Sequence, residues 1–176
     1  MFATIGTIVA TFALYASAIP SLEHAVPTAP APTCVAEQLA VESVPDDGGL
    51  GHQSEALLFR NNGTPCTLTG YPTVRLLDAA GRVVSIPRKT PMGYQAGLRG
   101  GPAPVVRLGR GQVANARIEG FTGPADGHPC PRYATYEVAP PGPVRSLLVP
   151  AHESVCNPEV HPIVPGRAAF YPPRTP

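Results

Sequence analysis

The chain has 176 residues, a length that suits a leader and one domain with a single hydrophobic core. Its formal net charge of +1 excludes a bulk electrostatic attraction of the whole chain to nucleic acid. Although it contains 24 prolines and 18 glycines, 43% of its residues are hydrophobic, which is typical of short strands joined by many turns.

The N-terminal residues predict export from the cytoplasm. Residues 2–19 carry no charged side chain, and Ala16-Ser17-Ala18 is a small-x-small pattern that signal peptidase accepts. Residues 1–18 are therefore predicted to be a signal peptide. Because no lysine or arginine precedes the apolar run, and the run is at the lower limit of spanning length, retention as an N-terminal anchor stays open. Both alternatives place the domain outside the cytoplasm, either secreted or associated with the cell surface.

The remaining chain divides by composition into three parts. Residues 19–33 are rich in proline and alanine and are predicted to be an extended linker. Residues 34–165 contain the alternating apolar runs of a β-sandwich domain, and residues 166–176 form a proline-rich tail.

Apolar and polar residues alternate along short segments of the domain, and no segment shows a sustained helical period. The nucleus of the pattern is residues 51–81, where strand, turn, cysteine, turn and strand follow one another. This pattern predicts an all-β fold, an immunoglobulin-like β-sandwich of about eight or nine short antiparallel strands. The predicted strands are residues 39–44, 53–61, 73–77, 82–86, 105–108, 113–119, 133–139, 144–149 and 159–164.

Turn residues suggest which of these strands are neighbours. Gly109-Arg110-Gly111 is typical of a tight hairpin between residues 105–108 and 113–119. A second hairpin is predicted around residues 140–143, which are Pro-Pro-Gly-Pro.

The four cysteines of an exported chain predict two disulfides. Reflecting Cys34 through the first predicted turn, near position 48 or 49, brings it close to Cys66. Reflecting Cys130 through the turn near Gly142 brings it close to Cys156. The expected pairs are therefore Cys34–Cys66 and Cys130–Cys156, each contributing about 3–4 kcal/mol in the chain-entropy model. No two cysteines have the spacing of a structural zinc site.

One stretch of the nucleus resembles a known family. The order Gly-His, Leu-Leu-Phe-Arg-Asn, Cys-Thr-Leu-Thr-Gly-Tyr-Pro and Val-Arg-Leu-Leu-Asp resembles domain-of-unknown-function family 4232, a group of secreted domains from high-GC Gram-positive bacteria. The resemblance covers about Cys34 to Val164 and includes a later Leu-Gly-Arg-Gly-Gln-Val-Ala segment. It implies an extracytoplasmic β-sandwich with no assigned activity, and it lends no catalytic residues.

The sequence contains no recognisable catalytic or cofactor motif. There is no Gly-x-Ser-x-Gly elbow, and none of the five histidines forms a His-x-x-x-His motif or pairs with a nearby carboxylate in a ligand motif, although His152 and Glu153 are adjacent. No catalytic residue, metal ligand or cofactor is therefore predicted, although a metal site assembled across loops stays open. The chain is expected to be a non-catalytic binding or structural module of the cell envelope. The alternative is a secreted hydrolase with a site assembled from separated loops.

The long connection at residues 87–104 is the best candidate for a binding surface. Every charged residue between Arg82 and Arg117 is a cation, and this connection combines cations with apolar side chains. It is predicted to have no strand of its own and to contact an anionic cell-envelope component. The alternatives are a disordered connection that acts only as a linker and a solvated dipolar surface. No nucleic acid is expected as a partner, and membrane contact is expected only through an uncleaved N-terminal segment. The candidate binding residues are Arg88, Lys89, Met92, Tyr94 and Arg99.

The leader prediction is tested by the N-terminus of the exported protein. Protein recovered from culture medium should begin at Ile19, because the predicted cut follows Ala18. Intact-mass and N-terminal peptide analysis would check this. A membrane-bound species that keeps Phe2 would instead establish the anchor.

Overall fold

The computed structural model describes residues 31–93, 101–124, 127–142 and 145–167. The predicted leader lies outside these residues, as do most of the linker and the tail. The described part is all-β, with one turn of 3-10 helix at Ala36–Gln38. Within the same ranges, no helix is long and apolar enough to cross a membrane.

The described residues form twelve strands that are distributed over three sheets. The largest sheet has the strand order β1-β2-β8-β11-β6, with β12 paired to β8. A second sheet has the order β10-β9-β4-β5, and β3 pairs with β7 in a two-stranded ribbon. In chain order the strands are β1 (Leu39–Gly49), β2 (His52–Asn61), β3 (Cys66–Thr69), β4 (Thr73–Leu77), β5 (Val83–Ser85), β6 (Arg88–Lys89), β7 (Val105–Leu108), β8 (Val113–Phe121), β9 (Thr135–Ala139), β10 (Leu147–Pro150), β11 (Cys156–Val160) and β12 (Val164–Pro165).

A single hydrophobic core joins the three sheets. Strand β2 contributes Leu57 and Phe59, which alternate along the strand and are fully buried. The second sheet contributes Tyr136 and Leu76, and the ribbon contributes Leu68, all in the same cluster. Burial of these side chains is the main favourable contribution to folding, at about 1.5–3 kcal/mol for each large apolar side chain.

Both predicted disulfides are present with the expected pairing. Cys34 and Cys66 have their Cα atoms 4.9 Å apart, and Cys130 and Cys156 have theirs 4.6 Å apart. Near the first bond, the Thr67 amide donates to the Pro32 carbonyl at 2.8 Å, so the end of the predicted linker lies along β3. The hairpin geometry from which the pairs were deduced is also confirmed, because β1 pairs with β2 and β9 pairs with β10.

The predicted hairpin at Gly109-Arg110-Gly111 is wrong, although the turn itself forms. The Gln112 amide donates to the Gly109 carbonyl at 3.1 Å, but β7 pairs with β3 whereas β8 pairs with β2. Asn61 gives the physical reason. Its backbone accepts from the Gly111 amide at 2.6 Å, and its buried side chain donates to the Leu108 carbonyl at 2.9 Å. Asn61 thereby holds the turn at the point where the chain passes from the ribbon to the large sheet.

The strand count and the antiparallel prediction also need correction. Strands β3 and β6 were not predicted, and the last predicted strand is divided into β11 and β12. Strand β6 gives the connection at residues 87–104 a strand, and it pairs with β11 in parallel rather than antiparallel. Such short strands carry too few residues for alternation to identify them.

Glu55 connects the large sheet to the second sheet through hydrogen bonds. Its side chain is 2% exposed, and Oε1 accepts from the amides of His152 at 2.9 Å and Glu153 at 2.5 Å, just after β10. Tyr136 of β9 lies nearby. Burial, followed by the nearness of Tyr133 and Glu55, raises the pKa of the Tyr136 hydroxyl above its ordinary value. Glu55 is therefore a buried carboxylate that accepts through Oε1 from two backbone amides in the segment after β10.

The structural role of Glu55 is tested by Glu55→Ala. The substitution would leave two buried amides without their acceptor, so we expect the free energy of unfolding to fall by about 3 kcal/mol. Urea unfolding of the oxidised protein measures the change. Glu42→Ala, which removes an exposed carboxylate from the neighbouring strand, is the matched control and should change stability by less than about 0.5 kcal/mol. Equal effects of the two substitutions would contradict this role.

Candidate functional site

The outer face of β8 is polar and yet buried. Its side chains alternate, and the apolar ones point into the core, so the polar ones lie on the opposite face of the sheet. Such a face is ordinarily solvated, but Asn115, Arg117 and Glu119 are only 4%, 6% and 3% exposed. Buried polar groups require partners, and those partners define the site. The core-facing residues are Ala114, Ala116 and Ile118.

A histidine and a second carboxylate lie beside Glu119. In the antiparallel ladder of β11 and β8, Glu159 is directly opposite Glu119. His161 comes two residues later, and its amide donates to the Arg117 carbonyl at 2.9 Å. Because side chains in extended backbone alternate with period two, Glu159 and His161 lie on the same face as Glu119. One ligand atom from each of these three residues lies within 4.8 Å of the others.

The hydrogen bond of His161 fixes which ring nitrogen carries the proton. Nδ1 lies 3.1 Å from the Thr90 carbonyl oxygen, which can only accept, so Nδ1 donates. Nε2 lies 3.5 Å from Glu119 Oε1, longer than an ordinary N–H···O hydrogen bond of about 2.9 Å. Within the described ranges, Nε2 has no hydrogen-bond partner. In the neutral ring, its lone pair therefore faces a carboxylate.

Residues 87–93, which we call the strap, cover this cluster. The Arg88 guanidinium forms an ion pair with Glu159, and the Thr90 amide donates to the Val160 carbonyl at 3.1 Å. Gly93 lies directly against Glu119 and His161, so closely that a Cβ at this position would overlap the Glu119 carboxylate. The absence of a side chain at Gly93 thus allows the strap to lie on the cluster.

A second buried ion pair lies on the same face. Arg117 Nε is 2.5 Å from Asp46 Oδ2, and this pair joins β8 to the irregular part of β1. The face therefore brings together three carboxylates and two guanidinium groups. The carboxylates are Asp46, Glu119 and Glu159, and the guanidinium groups are those of Arg88 and Arg117.

The structure places three of the five candidate binding residues on the strap. Arg88 and Lys89 form β6, and Met92 is 60% exposed. Tyr94 and Arg99 lie outside the described residues. The strap thus presents exposed cations and an exposed methionine above the buried cluster.

The structure brings His161 beside two carboxylates, a grouping that the sequence analysis did not identify. The signal was present in the sequence as Glu159-Val160-His161, because a Glu-x-His motif in extended backbone places both side chains on one face. Glu119 was less accessible to sequence reasoning. It alternates with core residues and looks like an ordinary solvated position until the ladder with β11 is known.

The cluster residues do not line a shallow cleft that lies elsewhere in the described part of the chain. None of the residues lining this cleft is a carboxylate, histidine, serine or cysteine, so it lacks the groups of a hydrolytic site. The lining residues are Arg107, Leu108, Gln112, Val113, Pro165 and Gly166.

The fold and the covalent bonds define an all-β domain with two disulfides, which is typical of an oxidising environment outside the cytoplasm. The chain belongs to the family described as Domain of unknown function (DUF4232), whose model matches residues 34–163. No curated protein and no solved structure matches the chain. The match extends to Ile163, so it includes Glu119, Glu159 and His161.

The close contact at Gly93 is tested by Gly93→Ala. The added methyl group would overlap the Glu119 carboxylate, so we expect the strap to be displaced, at a cost of about 1–3 kcal/mol in stability. Faster trypsin cleavage after Arg88 and Lys89 should report the displacement. Gly123→Ala is the control, since a Cβ there would meet no atom within 4 Å. Unchanged cleavage in Gly93→Ala would show that the strap does not depend on this contact.

Proposed function

We propose that this protein is a non-catalytic module of the cell envelope, secreted or tethered at the cell surface, that binds an anionic envelope component through the strap. We further propose that its sheets form an immunoglobulin-like sandwich, with the strap held against one outer face. The observation that carries the proposal is the backbone pairing of β6 with β11, which holds two consecutive cations, Arg88 and Lys89, in a fixed conformation. A fixed surface loses less conformational entropy on binding than a free loop does.

The side chains of the strap support an anionic partner. The Arg88 side chain is 72% exposed although it is paired with Glu159, and Lys89 is also exposed. Met92 adds exposed apolar area beside them. Cations accelerate the encounter with an anion and make binding sensitive to salt, while arginine and methionine provide contact area.

The hydrolase alternative is favoured by one observation, the convergence of Glu119, Glu159 and His161. A carboxylate beside an imidazole can act in general acid–base catalysis when a substrate reaches it. Here Glu119 and His161 are 3% and 1% exposed, and Gly93 lies against both. A substrate would have to displace the strap before reaching Nε2, so the geometry supports binding better than hydrolysis.

The binding proposal is tested by changing Arg88, Lys89 and Arg99 together to Ser. We expect weaker retention on cell-wall and anionic-lipid fractions at low salt, because the cations that attract the partner are removed. Thermal stability should change little, since exposed charges contribute little to folding. Co-sedimentation at low and high salt measures retention.

A second triple variant provides the control for net charge. Arg107, Arg110 and Arg132 are exposed and lie outside the strap, so changing them to Ser removes the same charge from another surface. The proposal requires the variant of Arg88, Lys89 and Arg99 to lose retention and this control to keep it. If both variants lost retention equally, binding would depend on the net charge of the protein and not on these three cations, which would contradict the proposal. If the wild-type protein were not retained at all, the proposal would be rejected. Hydrolysis of envelope polymers that is abolished by Glu119→Gln would establish the alternative instead.

A further inference from the structure

We infer that Glu119, Glu159 and His161 form a binding site for a divalent transition-metal ion of the zinc type. The inference concerns the buried cluster and does not depend on what the strap binds. Three potential ligands, from β8, from β11 and from the residue after β11, meet with their donor atoms within 4.8 Å, and two of the three side chains are almost completely buried.

The imidazole of His161 is already arranged as a metal ligand. Metal-binding histidines usually donate one ring N–H to a backbone carbonyl or carboxylate, which fixes the tautomer and directs the other nitrogen to the ion. In this protein Nδ1 donates to the Thr90 carbonyl at 3.1 Å. Nε2 is directed at Glu119 and, among the described residues, has no hydrogen-bond partner, although the side chain is 1% exposed. A buried nitrogen lone pair that accepts no hydrogen bond lowers the stability of the folded protein, unless a proton donor or a metal ion binds it.

The separation of Nε2 and Glu119 Oε1 fits two ligands of one ion better than a hydrogen bond. The two atoms are 3.5 Å apart. Bonds of about 2.1 Å in a tetrahedral zinc site place neighbouring ligand atoms about 3.4 Å apart. Glu159, whose side chain is 22% exposed, is the third ligand and would leave a coordination position for water.

Charge favours a cation at the same place. Glu119 and Glu159 are direct cross-strand partners, and like charges in that position repel each other. Arg88 pairs with Glu159, and Arg117 pairs with Asp46. A divalent ion between the two carboxylates would remove their repulsion.

The ligand set indicates which metal binds. Imidazole suits zinc and its transition-metal neighbours, whereas calcium and magnesium prefer an all-oxygen shell. Thiolate ligands are excluded because all four cysteines are in disulfides. The site is therefore expected to select Zn²⁺ over Ca²⁺ and Mg²⁺.

The direct test uses the oxidised wild-type protein, prepared without a histidine tag and stripped with chelator. Isothermal titration with Zn²⁺ should give one site per chain, the unfolding temperature should rise with zinc, and Ca²⁺ and Mg²⁺ should produce neither effect. X-ray absorption of the zinc-loaded protein should show one imidazole nitrogen with oxygen ligands at about 2.0–2.2 Å, and no sulfur.

Variants then locate the site. Glu119→Gln, Glu159→Gln and His161→Gln should each weaken zinc binding by at least about 10-fold. Removing only the hydrogen-bond partner of a metal ligand already weakens binding by about that factor, and these substitutions remove the ligand itself. His128→Gln removes an exposed histidine, and Glu137→Gln removes a strand glutamate that is paired with Arg75. These matched controls should bind zinc as wild type does. Should the buried variants fail to fold, Glu159→Gln and the absorption spectrum of wild type still decide the question.

Three results would overturn the inference. The first is a wild-type protein that binds no zinc at a few equivalents. The second is zinc binding that survives Glu159→Gln and Glu119→Gln but is lost in His128→Gln, which would establish an adventitious surface site only. The third is an absorption spectrum with several imidazoles or with sulfur.

Discussion

The ladder between β2 and β8 is the constraint on which the rest of the structure depends. The two strands pair from His52 with Phe121 to Arg60 with Val113, and neither strand is at an edge of the large sheet. Residues 54–59 and 114–120 are buried along their whole length, on both faces. Any polar side chain in these runs must therefore find its partner inside the protein.

The partners of those side chains are what fasten the outlying segments to the sheet. On the core face, Glu55 accepts the amides that follow β10. On the outer face, the Asn115 side chain donates to the Gly166 carbonyl at 2.9 Å, Arg117 pairs with Asp46, and Glu119 lies beside His161. Buried ion pairs of this kind contribute little net stability, because desolvation offsets much of the attraction. Their larger effect is to disfavour alternative positions for the segments they hold, since moving a segment would leave a charge buried without its partner.

Much of this fold follows from the sequence because its causes are local. Alternation at Leu57 and Phe59 reports burial on one face of a strand, and reflection through a turn locates a cysteine partner. Sheet pairing is not local. Nothing in Gly109-Arg110-Gly111 reveals that Asn61, about fifty residues earlier, holds the turn and separates β7 from β8. The cluster is hidden for the same reason, since Glu119 meets Glu159 only through the ladder with β11.

Glu159 is shared by the strap and the cluster, so binding at one of these places would affect binding at the other. Its carboxylate is paired with Arg88 on one side and lies beside Glu119 and His161 on the other. A metal ion bound at the cluster would take part of the negative charge of Glu159, which would weaken its hold on Arg88. The guanidinium would then be more available to an anion outside. By linkage, the anion would strengthen metal binding by the same factor. The two proposed sites would thus be positively coupled through one side chain, and Glu159→Gln would remove the coupling while leaving both cations of β6 in place.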